Sequence, residues 1–327
     1  MMKLLSWNSR GMGHPSKSTA LRDLLQNERL EILLIQETKQ SQHEMQKIVD
    51  TQKNFSGASS NSRGASGGIT TMWNNQHWDC KSSILNQNWL KTNLSSKEDS
   101  CDLIIYNVYL PNHYLEKEQC WTDLKENLDN EQNPNIILAG DFNLVLHANE
   151  KRGGNFTHDP FRSQLEEIMS DHELIDIIPK NRKYTWNNRR LGPGNIMERL
   201  DRILVNISLL SSFAAGHTKI LNAMASDHFP ILLTLDSHSQ LGPIPFRYNP
   251  LWRNIGEAEE IIETTWKHHV EGSPSHIWET KIRNTRKALK EWAKVSYQEP
   301  EKIKKKKYSK TWRKFKNKSK IKGSPTS

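Results

Sequence analysis

Cysteine is scarce and poorly spaced in this chain. Cys80, Cys101 and Cys120 are an odd set without a C-x-x-C pair, which argues against a disulfide framework and a cysteine zinc site. That usage fits a reducing, intracellular compartment. Long apolar runs are missing too. No stretch approaches the roughly 20 residues that a membrane span needs, so no membrane partner is expected. Residues 1–8 carry one basic residue and too short an apolar run for a secretory leader. Neither a Walker A loop, an H-E-x-x-H pair nor a Y-x-D-D tetrapeptide occurs, which sets aside P-loop, zincin and polymerase chemistries.

What is present is 327 residues, enough for one large domain and an extension. A core of that size needs no covalent staple. The 11 Trp suit a large core and a base-stacking surface equally and decide nothing alone. Net charge is +9, unevenly placed: residues 281–322 hold 18 Lys or Arg and 3 acids, a local charge of +15, which leaves −6 for the remainder. The body is mildly acidic and the tail strongly basic, so the overall pI says nothing of the surface around a site in the body.

Residues 1–236 alternate short apolar runs with amphipathic segments. Residues 3–7, 32–35, 67–73, 103–110, 136–139, 203–205 and 231–235 read as strands. The faces Ala20, Leu21, Leu24, Leu25 and Trp121, Leu124, Leu128 read as helices. The mixture predicts an α/β fold with two sheet layers covered by helices. After Pro243 and Pro245 the character changes. Residues 237–256 read as a linker and 257–300 as a helical extension with Trp278, Ile282, Leu289 and Trp292 on one face. Residues 301–327 read as a basic, disordered tail with Tyr308, Trp312 and Phe315 among its lysines.

Several of the apolar strands end in reactive side chains, the place where a rigid scaffold presents chemistry. Asn8 lies in S-W-N-S-R-G, Glu37 in L-L-I-Q-E-T, Asp141 and Asn143 in A-G-D-F-N, Asp201 in E-R-L-D-R, and Asp227 with His228 in S-D-H-F-P. Each also has an ordinary reading. Asn8 can form a turn, Glu37 can face solvent, and Asp141 with Asn143 can form an Asx turn. Asp201 can pair with Arg199 or Arg202, and Asp227–His228 can cap a helix or hold a buried hydrogen bond. As a set they suit attack at phosphorus, which needs positive charge on the phosphoryl group, oriented water and help for the leaving oxygen. Glu37 and Asp227 are hard oxygen ligands for Mg²⁺ or Mn²⁺. Asp201 can hold His228 in one tautomer beside a phosphate. Asp141 and Asn143, on the same side of an extended segment, can hold or deprotonate water.

The order W-N-x-x-G, Q-E-T, N-V-Y-L-P, G-D-F-N, R-L-D-R-I, S-D-H-F-P over residues 3–235 resembles the endonuclease/exonuclease/phosphatase superfamily. Within it, S-W-N-S-R-G-M-G, Y-T-W-N-N-R-R and E-R-L-D-R look most like the endonuclease domains of plant LINE-type retrotransposons. The resemblance implies a four-layer α/β/β/α sandwich, Mg²⁺ as cofactor with Mn²⁺ as substitute, and DNA as partner. It implies metal contacts from Asn8, Glu37 and Asp227, and contact of Tyr109 with the scissile phosphate. It further implies water activation by Asp141 assisted by Asn143, and His228 on a phosphate oxygen, oriented by Asp201. Where abasic-site endonucleases resemble W-N-x-D-G this chain has Arg10, which argues against a second metal position there and against abasic-site repair. In LINE-type relatives a hairpin after the Thr-Trp segment enters the minor groove. The resemblance therefore implies nucleic-acid contacts from Arg10, Thr185, Trp186, Arg189 and Arg190; a solvated basic turn is the plain reading of the last two.

The expectation is a Mg²⁺-dependent endonuclease in the nucleus that nicks duplex DNA to leave 3′-hydroxyl and 5′-phosphate ends. It would need no obligate protein partner and would derive from a LINE-type element without the reverse transcriptase. Two other readings use the same residues: a phosphatase or phosphodiesterase on inositol phosphates or lipid headgroups, and an inactive nucleic-acid-binding remnant.

Overall fold

Ile32, Leu33, Leu34 and Ile35 are buried in succession, as in a strand covered on both faces. In the computed structural model, which describes residues 1–64, 66–98, 101–222, 225–236 and 256–296, they form β2 (Ile32–Gln36). It runs parallel to β1 (Met2–Asn8), and α1 (Pro15–Glu28) makes the crossover that parallel neighbours require. β4 (Ser66–Asn74) and β3 (Phe55–Arg63) extend this sheet on one side, and β15 (Ile231–Asp236) and β14 (Ala215–Ile220) on the other.

The second sheet repeats the device. β7 (Asp102–Tyr109) and β8 (Ile136–Asp141) are parallel and joined through α3 (Tyr114–Asp129). β6 (Trp89–Ser96) and β5 (Trp78–Leu85) lie beyond β7. β13 (Asp201–Asn206) and β10 (Leu174–Asp176) lie beyond β8, with α5 (Ile207–Ser211) following β13. A small third sheet joins β11 (Trp186–Asn187), β12 (Met197–Glu198) and β9 (Lys151–Arg152).

Alternation along the strands builds the layers. Leu4, Leu34, Ile105, Ile137, Ile203 and Leu233 meet between the two large sheets. Leu5, Leu33 and Ile35 turn the other way, onto α1 and α2 (Gln42–Asp50) through Leu21, Leu24, Met45 and Val49. Tyr106, Val108 and Leu138 pack on α3 and α4 (Arg162–Asp171) through Leu124, Leu128, Leu165 and Ile168. This is the expected α/β/β/α order. The sequence reading lacks β3, β5, β6, β10 and β14 of the two large sheets; β3 and β5 are edge strands written in polar residues, F-S-G-A-S-S-N-S-R and W-D-C-K-S-S-I-L. α2 carries a capping box, with Ser41 and Glu44 bonded reciprocally.

The described residues fall into two units, 1–236 and 256–296. In the second, α6 (Gly256–Lys267) packs on α7 (Pro274–Ser296) through Ala258, Ile261, Ile262, Leu289 and Trp292. Trp278 and Ile282, expected on the same face as Leu289, are largely exposed; Trp278 stands edge-on to Trp266 instead. All of the expected linker except its last residue, and the whole basic tail, lie outside the described residues. No described helix is long and apolar enough to cross a membrane.

Candidate active site

Strand register gathers the candidate residues. Tyr109 on β7 pairs with Asp141 on β8, and Asp141 pairs with Asp201 on β13. Neighbours in register point to the same face, so one row across three strands presents a phenol and two carboxylates. Asn8 closes β1 in the facing sheet, and its Nδ2 donates to Asp141 Oδ2 at 2.8 Å. Gly140 allows the approach of β8 to β7. Its φ is +146°, and a Cβ there would lie 1.9 Å from Val108 O.

His228 arrives from the loop before β15. Its backbone bridges Trp186, and its N–H donates to Ser226 Oγ, which itself donates to Asn8 O at 2.8 Å. The buried ring places Nδ1 3.0 Å from Asp201 Oδ2 and Nε2 3.7 Å from Asp141 Oδ2. Arg199 and Arg202 do not pair with Asp201; they are held by Glu150 and Asp176. Burial disfavours the imidazolium, but the Asp201 and Asp141 carboxylates outweigh it and push His228 up to about 9. Burial raises the Asp141 carboxyl, with the His228 charge pulling against it. Burial also raises the Tyr109 phenol, reinforced by the Glu37 and Asp141 charges, so it stays a neutral donor.

Asn143 corrects one expectation. The segment after Asp141 is not extended, because Asn143 sits at φ +46°. Its backbone N–H donates to Asp141 Oδ1 at 2.9 Å, the Asx turn, and its Nδ2 is spent on Leu110 O at 2.6 Å. It still lines the pocket. Thr185 is a second correction. It is fully buried, and its Oγ1 accepts from Leu200 N and Asp201 N, both at 3.0 Å. It positions the Asp201 strand and is not placed to touch a ligand.

Glu37, which lines the same pocket, and Asp227 both meet Arg10. Glu37 lies just beyond β2 at φ +51°, an uncommon conformation for a side chain of this kind. Lys39 Nζ is 3.1 Å from its Oε1, and Arg10 Nε is 3.8 Å from its Oε2. Asp227 Oδ2 accepts from Arg10 Nη1 at 2.6 Å and from Trp186 Nε1 at 2.9 Å. Asp227 Oδ1 is buried with no partner among the described residues, which is costly unless a ligand satisfies it. That orphan oxygen, with two carboxylates of hard donors, fits a divalent cation. Asp141, Asp201 and His228 also bring ligand atoms within 4.8 Å of one another. Both sets of carboxylates are engaged, Asp141 and Asp201 by His228 and Asn8, Glu37 and Asp227 by Lys39, Arg10 and Trp186, and it is the unpartnered Asp227 Oδ1 that marks a place for an ion.

The residues surround a cavity of about 380 Å³ lined by Arg10, Glu37, Tyr109, Asp141, Trp186 and His228 among others. Arg190 is exposed on the following hairpin, and Leu191 at 95% exposure stands beside it. Arg189 reaches back to the Ser226 carbonyl. Sequence reasoning missed two buried lysines. Lys17 donates to Ser9 O and, at 2.8 Å, to Ala225 O, tying together the loops that carry Asn8 and His228. Lys117 donates to Asn143 O at 2.7 Å. Their one signal was position: each is a lysine in the first turn of a helix, where the macrodipole disfavours it.

Residues 5–228 match the model of the Endonuclease/Exonuclease/phosphatase family. The chain belongs to that family. Its members are metal-dependent hydrolases acting on phosphodiester bonds. No curated protein matches this member, but solved structures do. The AP endonuclease of Leishmania major is 19% identical, with a TM-score of 0.59 over 72% of this chain and 87% of that one. A 3′ phosphatase from Neisseria, bound to a product DNA hairpin, is 17% identical, with a TM-score of 0.57 over 72% and 100%. The endonuclease domain of TRAS1, a telomere-specific non-LTR retrotransposon, is 13% identical, with a TM-score of 0.56 over 73% and 100%. These likenesses show the DNase-like fold.

Proposed function

We propose that this family member is a Mg²⁺-dependent endonuclease that nicks duplex DNA, leaving 3′-hydroxyl and 5′-phosphate ends, and that it derives from a LINE-type retrotransposon. The observation that carries the chemistry is the Asp201–His228–Asp141 row, 3.0 and 3.7 Å apart, on a cavity that Glu37 and Arg10 also line, with Asp227 bonded to Arg10 beside it. DNA is favoured by the exposed basic hairpin and by likeness to a DNA-bound phosphatase and a retrotransposon endonuclease.

In this reading Glu37 and Asp227 would hold the divalent ion, with Asn8 as a further metal contact only if its Oδ1 leaves the Arg10 N–H, and the ion would supply positive charge to the phosphoryl oxygens. Asp141 accepts a proton from the attacking water, and Asn8 holds its Oδ2 in place. The His228 imidazolium, fixed by Asp201, binds a phosphoryl oxygen through Nε2 and stabilises charge as it builds. Tyr109 donates its phenolic hydrogen to the same group. Trp186 and Arg10 border the cavity, and Arg189 and Arg190 face the duplex.

Incubation with an end-labelled duplex and Mg²⁺ tests the substrate. Nicks that a ligase can reseal directly support the proposal. Intact duplex with phosphate released from inositol phosphates would replace it with the small-substrate reading.

A further inference from the structure

Residues 178–190 carry Lys180, Arg182, Lys183, Arg189 and Arg190 and no acid, in a body that is otherwise acidic. The first three are exposed and line a second cleft of about 400 Å³ together with His147, Glu150 and Arg199. Glu150 adds no free negative charge there, because both of its oxygens are taken by the guanidinium groups of Arg199 and Arg202. Arg199 is 3% exposed, and its Nε has no acceptor among the described residues. The free charge of the cleft is therefore that of the exposed Lys180, Arg182 and Lys183, which suits an anion.

The cleft is fixed to the candidate active site. Asn181 bonds both backbone groups of Ile220, at 2.7 and 3.0 Å. Arg182 donates to Asn222 Oδ1 at 2.8 Å and lies 5.6 Å over the ring of Phe229, the residue after His228. Glu198 and Leu200 line the central cavity and Arg199 lines this cleft, as alternation along an extended segment dictates. The segment joining β12 to β13 is thus the common wall.

We propose that this cleft is a second phosphate-binding subsite, which takes the backbone of a nucleic acid whose scissile phosphate occupies the central cavity. The inference rests on the reading of that cavity as a phosphodiesterase site. A nucleic-acid strand presents one charge about every 3.4 Å along its axis, so a strand held at one phosphate brings others to a neighbouring cationic wall. A small ester with a single phosphate engages only one of the two.

The test is the double variant Lys180→Gln/Lys183→Gln, which keeps the Arg182 bond to Asn222. Two readouts are compared with wild type: nicking of duplex DNA across a salt series, and Mg²⁺-dependent hydrolysis of bis(p-nitrophenyl) phosphate. The expected result is a KM for DNA raised about tenfold or more, a log–log salt slope flattened by roughly 2, and unchanged hydrolysis of the small diester. Unchanged KM and slope for DNA would overturn the subsite. If wild type cleaves neither substrate, the phosphodiesterase reading fails, and anisotropy of a labelled duplex still reads the cleft. Weaker binding by the variant then supports an anion subsite, and equal binding overturns it. Competition by poly-glutamate as effective as by DNA would overturn its assignment to nucleic acid.

Discussion

Arg10 donates from Nη1 to Asp227 Oδ2 at 2.6 Å, and its Nε lies 3.8 Å from Glu37. The side chain that stands where abasic-site endonucleases resemble aspartate therefore puts a fixed positive charge between two carboxylates suited to a metal ion. Under the proposed function, guanidinium and divalent cation would compete for one place. Arg10→Gln is expected to lower the melting temperature of metal-free protein by a few degrees, since about 1 kcal/mol shifts Tm by roughly 2–4 °C in a domain of this size. Added Mg²⁺ should then raise Tm more in the variant than in wild type, because binding to the native state stabilises it by mass action. Thermal melts with EDTA and with one fixed Mg²⁺ concentration check this; equal gains in the two proteins would contradict it.

Activity should follow a bell with pH. Asp141 must be ionised to take a proton, and its pKa is raised by burial, so the rate climbs with pH through a limb above the ordinary carboxylate range. His228 must be charged to bind phosphate, so the rate falls as pH passes about 9. The two groups interact, and the limbs belong to the pair. Asp201→Asn removes the largest charge favouring the imidazolium. It should move the alkaline limb downward and lower kcat by about 10²- to 10⁴-fold. A pH–rate profile of both proteins, with the imidazole titration followed by NMR, measures this.

Arg199, Arg202, Glu150 and Asp176 form a buried ion cluster outside the central cavity. Burial opposes ionisation of Glu150, but Arg202 and Arg199 hold it down to about 2, below its usual 4.5. A folded-state pKa below the unfolded one gives stability that is complete above about 4.5 and lost as pH falls towards 2. Glu150→Gln leaves two buried guanidinium groups with Asp176 as their one carboxylate partner and should cost about 3 kcal/mol at neutral pH. It should also flatten the loss of stability between those two pH values. Urea unfolding at several pH values reads both effects.

Gly140→Ala tests the backbone that aims Asp141. The added Cβ meets Val108 O at 1.9 Å, on backbone held at φ +146°. The expected cost is about 4 kcal/mol or more, seen as a lower urea midpoint with loss of activity. A variant as stable as wild type would show that β7 and β8 are not held this closely.

Much of this was legible in the sequence because strand ends announce themselves. Leu33, Leu34 and Ile35 run straight into Gln36–Glu37, and Ile136–Ala139 into Gly140–Asp141; an apolar run that stops at a carboxylate gives both the strand and its reactive end. The edge strands β3 and β5 were not legible, since their half-solvated polar residues carry little periodic apolar signal. Thr185 was misread because a motif gives no burial: its hydroxyl is consumed by two backbone N–H groups. Asn143 was misread because alternation holds only while the chain stays extended, and φ +46° ends it. Lys17 and Lys117 act on carbonyls of Ser9, Ala225 and Asn143, and backbone acceptors leave no mark in a sequence.

The most direct measurement is conversion of supercoiled plasmid by the purified protein with Mg²⁺, alongside the same reaction in EDTA and the same reaction with His228→Ala. The account predicts nicked circles in the first, intact plasmid in EDTA, and a loss of nicking in the variant by at least 10² while its melting profile stays cooperative. Nicking by His228→Ala at the wild-type rate would contradict the central place given to the Asp201–His228–Asp141 row.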